Sequence, residues 1–182
     1  NTFGLDVYAD RFVPVATVEE AREVIQDERF RQLPRLVLGG GSNILFTGDF
    51  HGLVVLNLIS GIFVIREDST HVFVRSGAGE NWHNFVRHTV KNGWGGLENL
   101  SLIPGTVGAA PIQNIGAYGV EIKDTFYELE ALELSDGSTR TFSAADCSFG
   151  YRDSIFKGAV KGRYLITHVT FRLSKKPVIN TR

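Results

Sequence analysis

The sequence has no methionine, one cysteine, five prolines and a formal net charge of only -1 over 182 residues. The single Cys147 excludes an intramolecular disulfide framework and is expected to act as a small apolar side chain. So small a net charge leaves no basic excess for nucleic acid. No apolar run reaches the length of a membrane span or resembles a secretory signal. We therefore expect a soluble, cytoplasmic protein with no membrane association, and the 43% hydrophobic residues supply ample material for a core.

Hydrophobic periodicity predicts an α+β fold of two lobes, residues 1–60 and 61–175. In the first lobe, a helix should begin at Thr17, with Glu20 completing a capping box, and continue through Phe30. The remaining elements predicted there are strands over 12–16, 35–38 and 53–57. In the second lobe we predict a hairpin of 62–65 with 71–75, a helix, a hairpin that turns at 135–137, and a last strand over 164–173.

Two of these elements carry more detailed expectations. The helix of the second lobe is predicted from the near-helical spacing of Trp82, Phe85, Val86 and Val90, and it should end at Gly93. Its aromatic residues are expected in the core. In the last strand, apolar residues alternate with Thr170 and Arg172, which predicts a sheet with one wet face.

A glycine triplet follows the strand predicted over 35–38. The proposed cradle residues stand in a row: Gly39, Gly40, Gly41, Ser42 and Asn43. Glycines tolerate positive φ and carry no Cβ, so successive amides can turn towards an anion such as a diphosphate. The dinucleotide fingerprint G-x-G-x-x-G fails at Ile44, and no Gly-Lys-Ser/Thr follows as a P-loop requires. The five residues therefore predict a diphosphate cradle in a nucleotide-binding fold of a third kind. An isolated glycine triplet, however, is more often an ordinary turn after a buried strand.

Two further segments are unusual. Small side chains concentrate between Gly95 and Gly119, where backbone can touch a ligand closely, but a glycine-rich loop packed on a sheet is equally common. The segment Tyr151-Arg-Asp-Ser-Ile-Phe-Lys157 puts an aromatic ring, a guanidinium, a carboxylate and a hydroxyl at adjacent positions. An ion pair of Arg152 with Asp153 would be the ordinary explanation for an exposed arginine of this kind.

Together with the opening Asn1-Thr-Phe-Gly4, these segments closely resemble the UDP-N-acetylenolpyruvoylglucosamine reductases, flavoproteins of bacterial cell-wall synthesis. The four motifs occur in the family's order over nearly the whole chain. The resemblance implies a two-lobe FAD-binding domain of the vanillyl-alcohol-oxidase-like (PCMH) type. It also implies that NADPH reduces FAD, which then passes hydride to UDP-N-acetylglucosamine enolpyruvate to give UDP-N-acetylmuramate for peptidoglycan synthesis.

The resemblance also assigns roles to residues. In that family the glycine-rich loop lies along the flavin, so the candidates for FAD contact, beside the cradle, are Gly105, Asn114, Ile115, Gly116, Tyr118 and Tyr151. Arg152 matches the active-site arginine. Hydride delivery to the enolpyruvyl C3 leaves negative charge over C2 and the adjoining carboxylate, and a guanidinium that stays cationic can stabilise that charge.

A C-terminal substrate domain is implied after residue 175, with 176–182 as its start. The family's proton-donating serine and assisting glutamate belong to that domain, so neither can be assigned here. Ser154 is not a substitute, because it belongs to a different motif. A chain that lacks methionine and begins at Asn1 inside a family motif is expected to be a fragment.

The histidines show no spacing typical of a metal site, and we predict no metal: they are His51, His71, His83, His88 and His168. The wider flavoprotein class includes members that attach FAD through His or Cys. Neither residue type occurs in the cradle, so FAD is expected to be held noncovalently.

Two other functions stay open on the sequence alone. An FAD-dependent oxidase of the wider class would share the cradle but has no reason to carry the motif from Tyr151 to Lys157, and it would form hydrogen peroxide with its substrate. A noncatalytic nucleotide-binding module would bind FAD or a UDP-sugar without redox turnover. A measurement of flavin reduction by NADPH would distinguish such a module from the reductase. Nothing in the sequence indicates a protein partner.

Overall fold

The predicted α+β class is confirmed by a computed structural model, which describes residues 2–177. Asn1 and residues 178–182, which include most of the segment predicted to open a further domain, lie outside the described residues. None of the helices in the described part has the length and apolar character needed to cross a membrane. The elements in chain order are β1 (Ala9–Val15), α1 (Val18–Gln26), β2 (Arg35–Leu38), β3 (Phe50–Asn57), β4 (Ile62–Glu67), β5 (His71–Gly77), α2 (Trp82–Lys91), β6 (Gly116–Ala117), β7 (Val120–Glu121), β8 (Phe126–Glu133), β9 (Thr139–Ser143), α3 (Ala144–Cys147) and β10 (Tyr164–Ser174).

The first sheet is parallel and has the order β1-β3-β2. The strands predicted over 12–16, 35–38 and 53–57 are thereby confirmed, with β1 and β3 extended at their starts. The central β3 buries residues 53–55, because a central parallel strand is covered on both faces. The cradle follows β2 directly. It therefore lies at the carboxyl end of a parallel strand, where open α/β sheets bind their ligands.

Helix α1 begins as predicted, with one difference in its cap. The Thr17 side chain accepts a hydrogen bond from the Glu20 amide at 3.1 Å. The Glu20 carboxylate accepts from the Ala16 amide at 2.7 Å, one residue before the position that a capping box requires. The carboxylate thus ties the helix to the chain that enters it from β1.

The predicted continuation of α1 through Phe30 is wrong, because the helix ends at Gln26. Asp27 leaves the helical region with φ -68° and ψ 118°. Its carboxylate accepts from the Arg29 amide at 2.9 Å and caps a separate 3₁₀ turn, Glu28–Phe30. An aspartate that bonds to nearby backbone competes with helix continuation, which a periodicity argument does not detect.

The second sheet is antiparallel and has the order β4-β5-β10-β8-β9. Both predicted hairpins and the predicted last strand are confirmed. The expected wet face is found at Arg172, which is exposed, but not at Thr170, which is only 3% exposed. Thr170 pairs with Arg75 on β5 and with Glu128 on β8, so the long side chains of its neighbours flank it.

Helix α2 packs on the inner face of this sheet. Its Trp82 and Phe85 rings lie 6.0 Å and 5.0 Å from the Phe171 ring of β10. The predicted core positions of Trp82 and Phe85 are confirmed, and Thr89 is also buried, whereas Val90 is 50% exposed. Residues 82, 85, 86 and 89 fall on one helical stripe, and residue 90 is rotated away from it. Gly93 has the positive φ, +73°, of the C′ glycine predicted there.

The two sheets share a hydrophobic core. Ala21, Ile25 and Leu53 of the first half pack in one cluster with Leu132 and Leu165 of the second half. The boundary near residue 60 therefore separates the sheets but crosses buried contacts, and the division into lobes 1–60 and 61–175 stays a prediction.

The loop between α2 and β8 is held against the start of α2. The Trp82 amide donates to the Gly105 carbonyl at 3.1 Å, and the indole of Trp82 donates to the Leu100 carbonyl at 2.8 Å. Gly108 donates to the Ala78 carbonyl at 2.8 Å, an approach that requires glycine because a Cβ would come 2.5 Å from the Ala78 Cβ. These bonds place residues 104–115 opposite the cradle.

Candidate functional site

The three cradle glycines meet different requirements. Gly41 alone among them has a positive φ, +67°. Gly39 must be small, since a Cβ there would lie 2.5 Å from Thr106 Oγ1. Within the described part of the chain, the amides of Gly40, Gly41 and Ser42 donate to no protein acceptor. Neighbouring amides without protein partners can bind an anion, as in other backbone nests.

The cradle forms one wall of a cavity of about 310 Å³, which we call the cradle cavity. Residues 104–115 of the glycine-rich loop form much of the opposite wall. The walls touch where Asn43 Nδ2 donates to Gln113 Oε1 at 3.0 Å. The structure brings together here seven of the predicted site residues, Gly39, Gly40, Gly41, Ser42, Asn43, Gly105 and Ile115.

Four other predicted site residues line a second and more open cavity of about 610 Å³, the Arg152 groove: Gly116, Tyr118, Tyr151 and Arg152. Tyr118 and Tyr151 are both 85% exposed. Tyr118 sits at the tip of the β6–β7 hairpin with φ +51°, next to Gly119 at +77°. The same loop, 104–121, therefore contributes to the walls of both cavities.

Arg152 stands on a tight turn whose ends are paired, because the Gly150 amide donates to the Asp153 carbonyl at 3.0 Å. Its guanidinium donates to the Gly116 carbonyl. Gly116 must be glycine for this approach, since a Cβ there would lie 3.0 Å from Arg152 Nη1 and 2.8 Å from the Val120 carbonyl. In the described residues, Arg152 forms no ion pair with Asp153 or with another carboxylate. The ordinary surface ion pair therefore does not account for this arginine.

The groove also holds an ion pair of Glu121 with Lys123, at 2.5 Å. The hydrogen bond from Lys123 is the main cause that lowers the pKa of Glu121, and the charge of Arg152 acts in the same direction. Lys123 is thus neutralised by its own partner. Arg152 remains the guanidinium of the groove without a carboxylate partner in the described chain.

Asn114, predicted as an FAD contact, lines neither cavity. It is fully buried, its Nδ2 donates to the Gly150 carbonyl at 2.8 Å, and its Oδ1 accepts from the Lys123 amide at 3.2 Å. Its carboxamide thus joins the loop to the Arg152 turn. Ser154 is similarly engaged, because its hydroxyl donates to the Ile112 carbonyl at 2.7 Å and accepts from the Phe156 amide at 3.2 Å.

Among the residues of the cradle cavity that sequence reasoning missed, three carry polar or charged side chains suited to a ligand: Thr106, Gln113 and Lys157. Lys157 closes the motif that begins at Tyr151, so a signal was present, but its ammonium was assigned no part. Thr106 and Gln113 lie in the glycine-rich loop and carry no pattern that separates them from its other polar residues. Only their position opposite the cradle identifies them.

Three other titratable side chains, those of His168, His83 and Cys147, contact neighbouring protein groups or are buried. His168 Nδ1 lies 3.2 Å from Arg75 Nη2, and His83 Nδ1 accepts from the Leu102 amide at 3.2 Å. Burial raises the pKa of the Cys147 thiol to about 12. Among residues 2–177, no three side chains of His, Cys, Asp and Glu come together as metal ligands.

The cradle cavity fits a cofactor that joins a diphosphate to flat rings. Backbone amides and the Ser42 hydroxyl suit the anionic part, whereas Val37, Ile112 and Ile115 offer apolar surface to rings. The parallel sheet ends in a glycine cradle, and the antiparallel sheet packs on it across this cavity. This arrangement defines a domain that binds a nucleotide cofactor. The chain belongs to the FAD-binding-domain family, whose model matches residues 9–143.

Comparison with known proteins gives closer relatives. Over 176 residues the chain is 53% identical to UDP-N-acetylenolpyruvoylglucosamine reductase of Burkholderia ambifaria, a match that covers 97% of this chain and 50% of the relative. The chain spans about half the length of the curated relatives it matches. The resemblance to this reductase family is confirmed over the length of this chain.

Solved structures agree with the fold. The reductase of the same name from Thermus caldophilus has a TM-score of 0.65 at 28% identity, over 88% of this chain and 55% of that one. p-Cresol methylhydroxylase has a TM-score of 0.65 at 16% identity, over 94% of this chain and 36% of that one, a likeness of fold alone. The predicted PCMH-type FAD-binding fold is confirmed.

Proposed function

We propose that this chain is the FAD-binding portion of a cytoplasmic reductase that uses NADPH to convert UDP-N-acetylglucosamine enolpyruvate into UDP-N-acetylmuramate for peptidoglycan synthesis. The observation that carries this proposal is that one loop, 104–121, lines both the cradle cavity and the Arg152 groove. The loop brings the cofactor site beside a guanidinium without a carboxylate partner. Identity of 53% with the reductase of Burkholderia ambifaria supports the same function.

In this proposal the cradle holds the cofactor diphosphate. The amides from Gly40 to Ser42 and the Ser42 hydroxyl donate to it, while Gly105 and Ile115 lie along the rest of the cofactor. FAD held there would supply the hydride chemistry, with NADPH as the reductant. No covalent bond to the chain is involved, because Cys147 and the histidines lie outside the residues that line the cavity.

Arg152 acts on the substrate. Hydride addition to the enolpyruvyl C3 leaves negative charge on C2 and the adjoining carboxylate, and a fixed guanidinium stabilises that charge best when it is oriented in advance. The bond to the Gly116 carbonyl fixes one side of the guanidinium. Its remaining donors can pair with a carboxylate in the groove, where the Tyr118 and Tyr151 rings offer flat exposed surfaces.

Residues 1–60 and 61–175 are the two FAD-binding lobes of this proposal, and 176–182 lead into a substrate domain. The longer relatives have room for such a domain, since the chain covers 50% of the relative from Burkholderia ambifaria. We propose that this domain supplies the proton-donating serine and the assisting glutamate. Ser154 is unsuited to that task, because its hydroxyl is already bonded to two backbone groups.

Titration of the chain with FAD, followed by flavin fluorescence and the visible absorption spectrum, tests the cofactor site. We expect saturable binding and complete release of flavin into the supernatant after acid precipitation. Flavin retained in washed, denatured protein would contradict noncovalent binding, and absence of binding would remove the cradle from the proposal.

The reductase activity requires a second assay, in which this chain and the full-length protein, both loaded with FAD, are compared side by side. NADPH consumption that depends on the enolpyruvyl substrate should be near background for this chain and appear with the full-length protein. Hydride transfer needs a placed acid and a closed site, and both are expected from the substrate domain. Equal substrate-dependent rates would show that the acid lies within these 182 residues.

A further inference from the structure

Lys157 stands apart among the described residues that line the cradle cavity, because it alone carries a charged side chain. The other lining groups are glycines, apolar side chains and neutral polar ones. A cation on the wall of such a cavity attracts an anionic ligand. The backbone amides of the cradle and the positive charge of Lys157 both suit a diphosphate.

The same ammonium also reaches the turn that carries Arg152. Lys157 Nζ donates to the Arg152 carbonyl oxygen at 2.9 Å. Arg152 has φ +52°, a conformation that residues other than glycine adopt only when their surroundings hold them in it. On the other side of the turn, Asn114 Nδ2 donates to the Gly150 carbonyl at 2.8 Å. Two backbone carbonyls of the turn are thus held, one by a buried carboxamide and one by an exposed ammonium.

We propose that Lys157 is a positioning residue that couples cofactor binding to the geometry of Arg152. A diphosphate in the cradle cavity restrains the ammonium, and the restrained ammonium keeps the Arg152 turn in its left-handed conformation. The coupling is reciprocal, because an intact turn also keeps the ammonium at the cavity wall. The inference rests on the proposed cofactor role of the cavity.

Cofactor affinity gives the first readout. We compare the parent protein with Lys157→Met, Lys157→Arg and the control Lys161→Met, which removes an exposed charge four positions away. Lys157→Met should weaken FAD binding about tenfold, the size expected for a lost bond to a charged group. Lys157→Arg should retain most of the affinity, and the control should match the parent. In Lys157→Met, the loss of affinity should be smaller for riboflavin, which lacks phosphates, than for FAD.

The turn gives a second readout that needs no cofactor. Trypsin can cut after Arg152 when the turn opens, and mass spectrometry follows that single bond in every variant. Without FAD, cleavage there should be several-fold faster in Lys157→Met than in the parent, and Lys157→Arg should restore the parent rate. In the parent protein, FAD should slow this cleavage, a comparison that requires no substitution. Lys157 is exposed, so the variants are expected to fold, and circular dichroism checks this.

The outcomes separate this inference from the proposed function. A parent protein that binds no FAD overturns the cofactor role of the cavity and, with it, the coupling. If the parent binds FAD but Lys157→Met equals it in both affinity and cleavage, only the coupling is overturned. A change in one readout alone also overturns it, because the ammonium would then act on the cavity or on the turn but not on both.

Discussion

The Asn57 carboxamide donates to the carbonyl oxygen of Ile166 at 2.7 Å, and its oxygen accepts from the Ile59 amide at 3.1 Å. Asn57 ends β3 of the first sheet and is only 6% exposed, whereas Ile166 lies in β10 of the second sheet. One buried side chain therefore ties the sheets together where they meet. The cradle and the Arg152 turn belong to different halves of the chain, so this junction helps to set the distance between them.

Asn57→Ala should lower the free energy of unfolding by about 1–3 kcal/mol, because it leaves a buried carbonyl and a buried amide without partners. Urea denaturation followed by circular dichroism measures the change. Asn84→Ala is the matched control, since Asn84 is exposed on α2 and its side chain makes no hydrogen bond in the described structure. If Asn57→Ala loses no more free energy of unfolding than Asn84→Ala, the junction of the two sheets does not depend on Asn57.

Gly40→Val should abolish FAD binding while the protein still folds. A Cβ at Gly40 would meet no atom closer than the Gly105 Cα, at 3.5 Å, so the fold tolerates a side chain there. The valine would instead fill space between the cradle and the loop, where the diphosphate is proposed to lie. Flavin fluorescence titration and thermal unfolding measure the two effects. Gly48→Val, in open space on the same segment, should keep the parent affinity. If Gly40→Val folds and binds FAD as tightly as the parent, the diphosphate site is not at the cradle.

Arg152→Ala in the full-length protein should leave flavin reduction by NADPH nearly unchanged and slow reoxidation by the enolpyruvyl substrate. Loss of one such electrostatic contact costs about 10²–10³ in rate, because the charge on the substrate is no longer stabilised. Stopped-flow absorbance resolves the two half-reactions. Arg152→Lys, which keeps the charge but not the forked donor, should recover only part of the rate. An unchanged oxidative half-reaction would remove Arg152 from the mechanism.

The free energy of unfolding should fall as the pH drops from about 6.5 through the pKa that His168 has in the folded protein. Burial is the main cause that lowers this pKa below its ordinary value of 6.5, and the charge of Arg75 adds to it, while Glu130 opposes them. The unfolded chain therefore binds the proton more readily, so stability rises with pH across this window. Denaturation midpoints between about pH 5 and 7 should show a smaller slope for His168→Gln than for the parent.

Much of the fold was predictable from local patterns. The alternation in β10 and the stripe of Trp82, Phe85 and Val86 in α2 each follow from a short window of sequence, and both elements were found where predicted. The error at Phe30 has a local cause that periodicity does not encode, because an aspartate cap ended α1. On α2, burial of Thr89 was likewise not indicated by the apolar pattern.

The candidate site was predictable only as separate segments. The cradle and the motif from Tyr151 to Lys157 were both recognised, but their division between two cavities was not. The contact of Asn114 with FAD stays a prediction, and its buried carboxamide bonds to two backbone groups that the sequence does not identify. Lys157 lies 2.9 Å from the Arg152 carbonyl, although five positions separate the two in sequence.

The sequence by itself determined where glycine flexibility, strand alternation and helical stripes occur, because these depend on a residue and its near neighbours. It also carried the family resemblance, which rests on motif order. Only the tertiary structure decided which carbonyl each side chain meets and which face of the 104–121 loop turns to the cradle. Such contacts join residues far apart in the chain, like Asn57 with Ile166, and they follow from how the two sheets pack on one shared core.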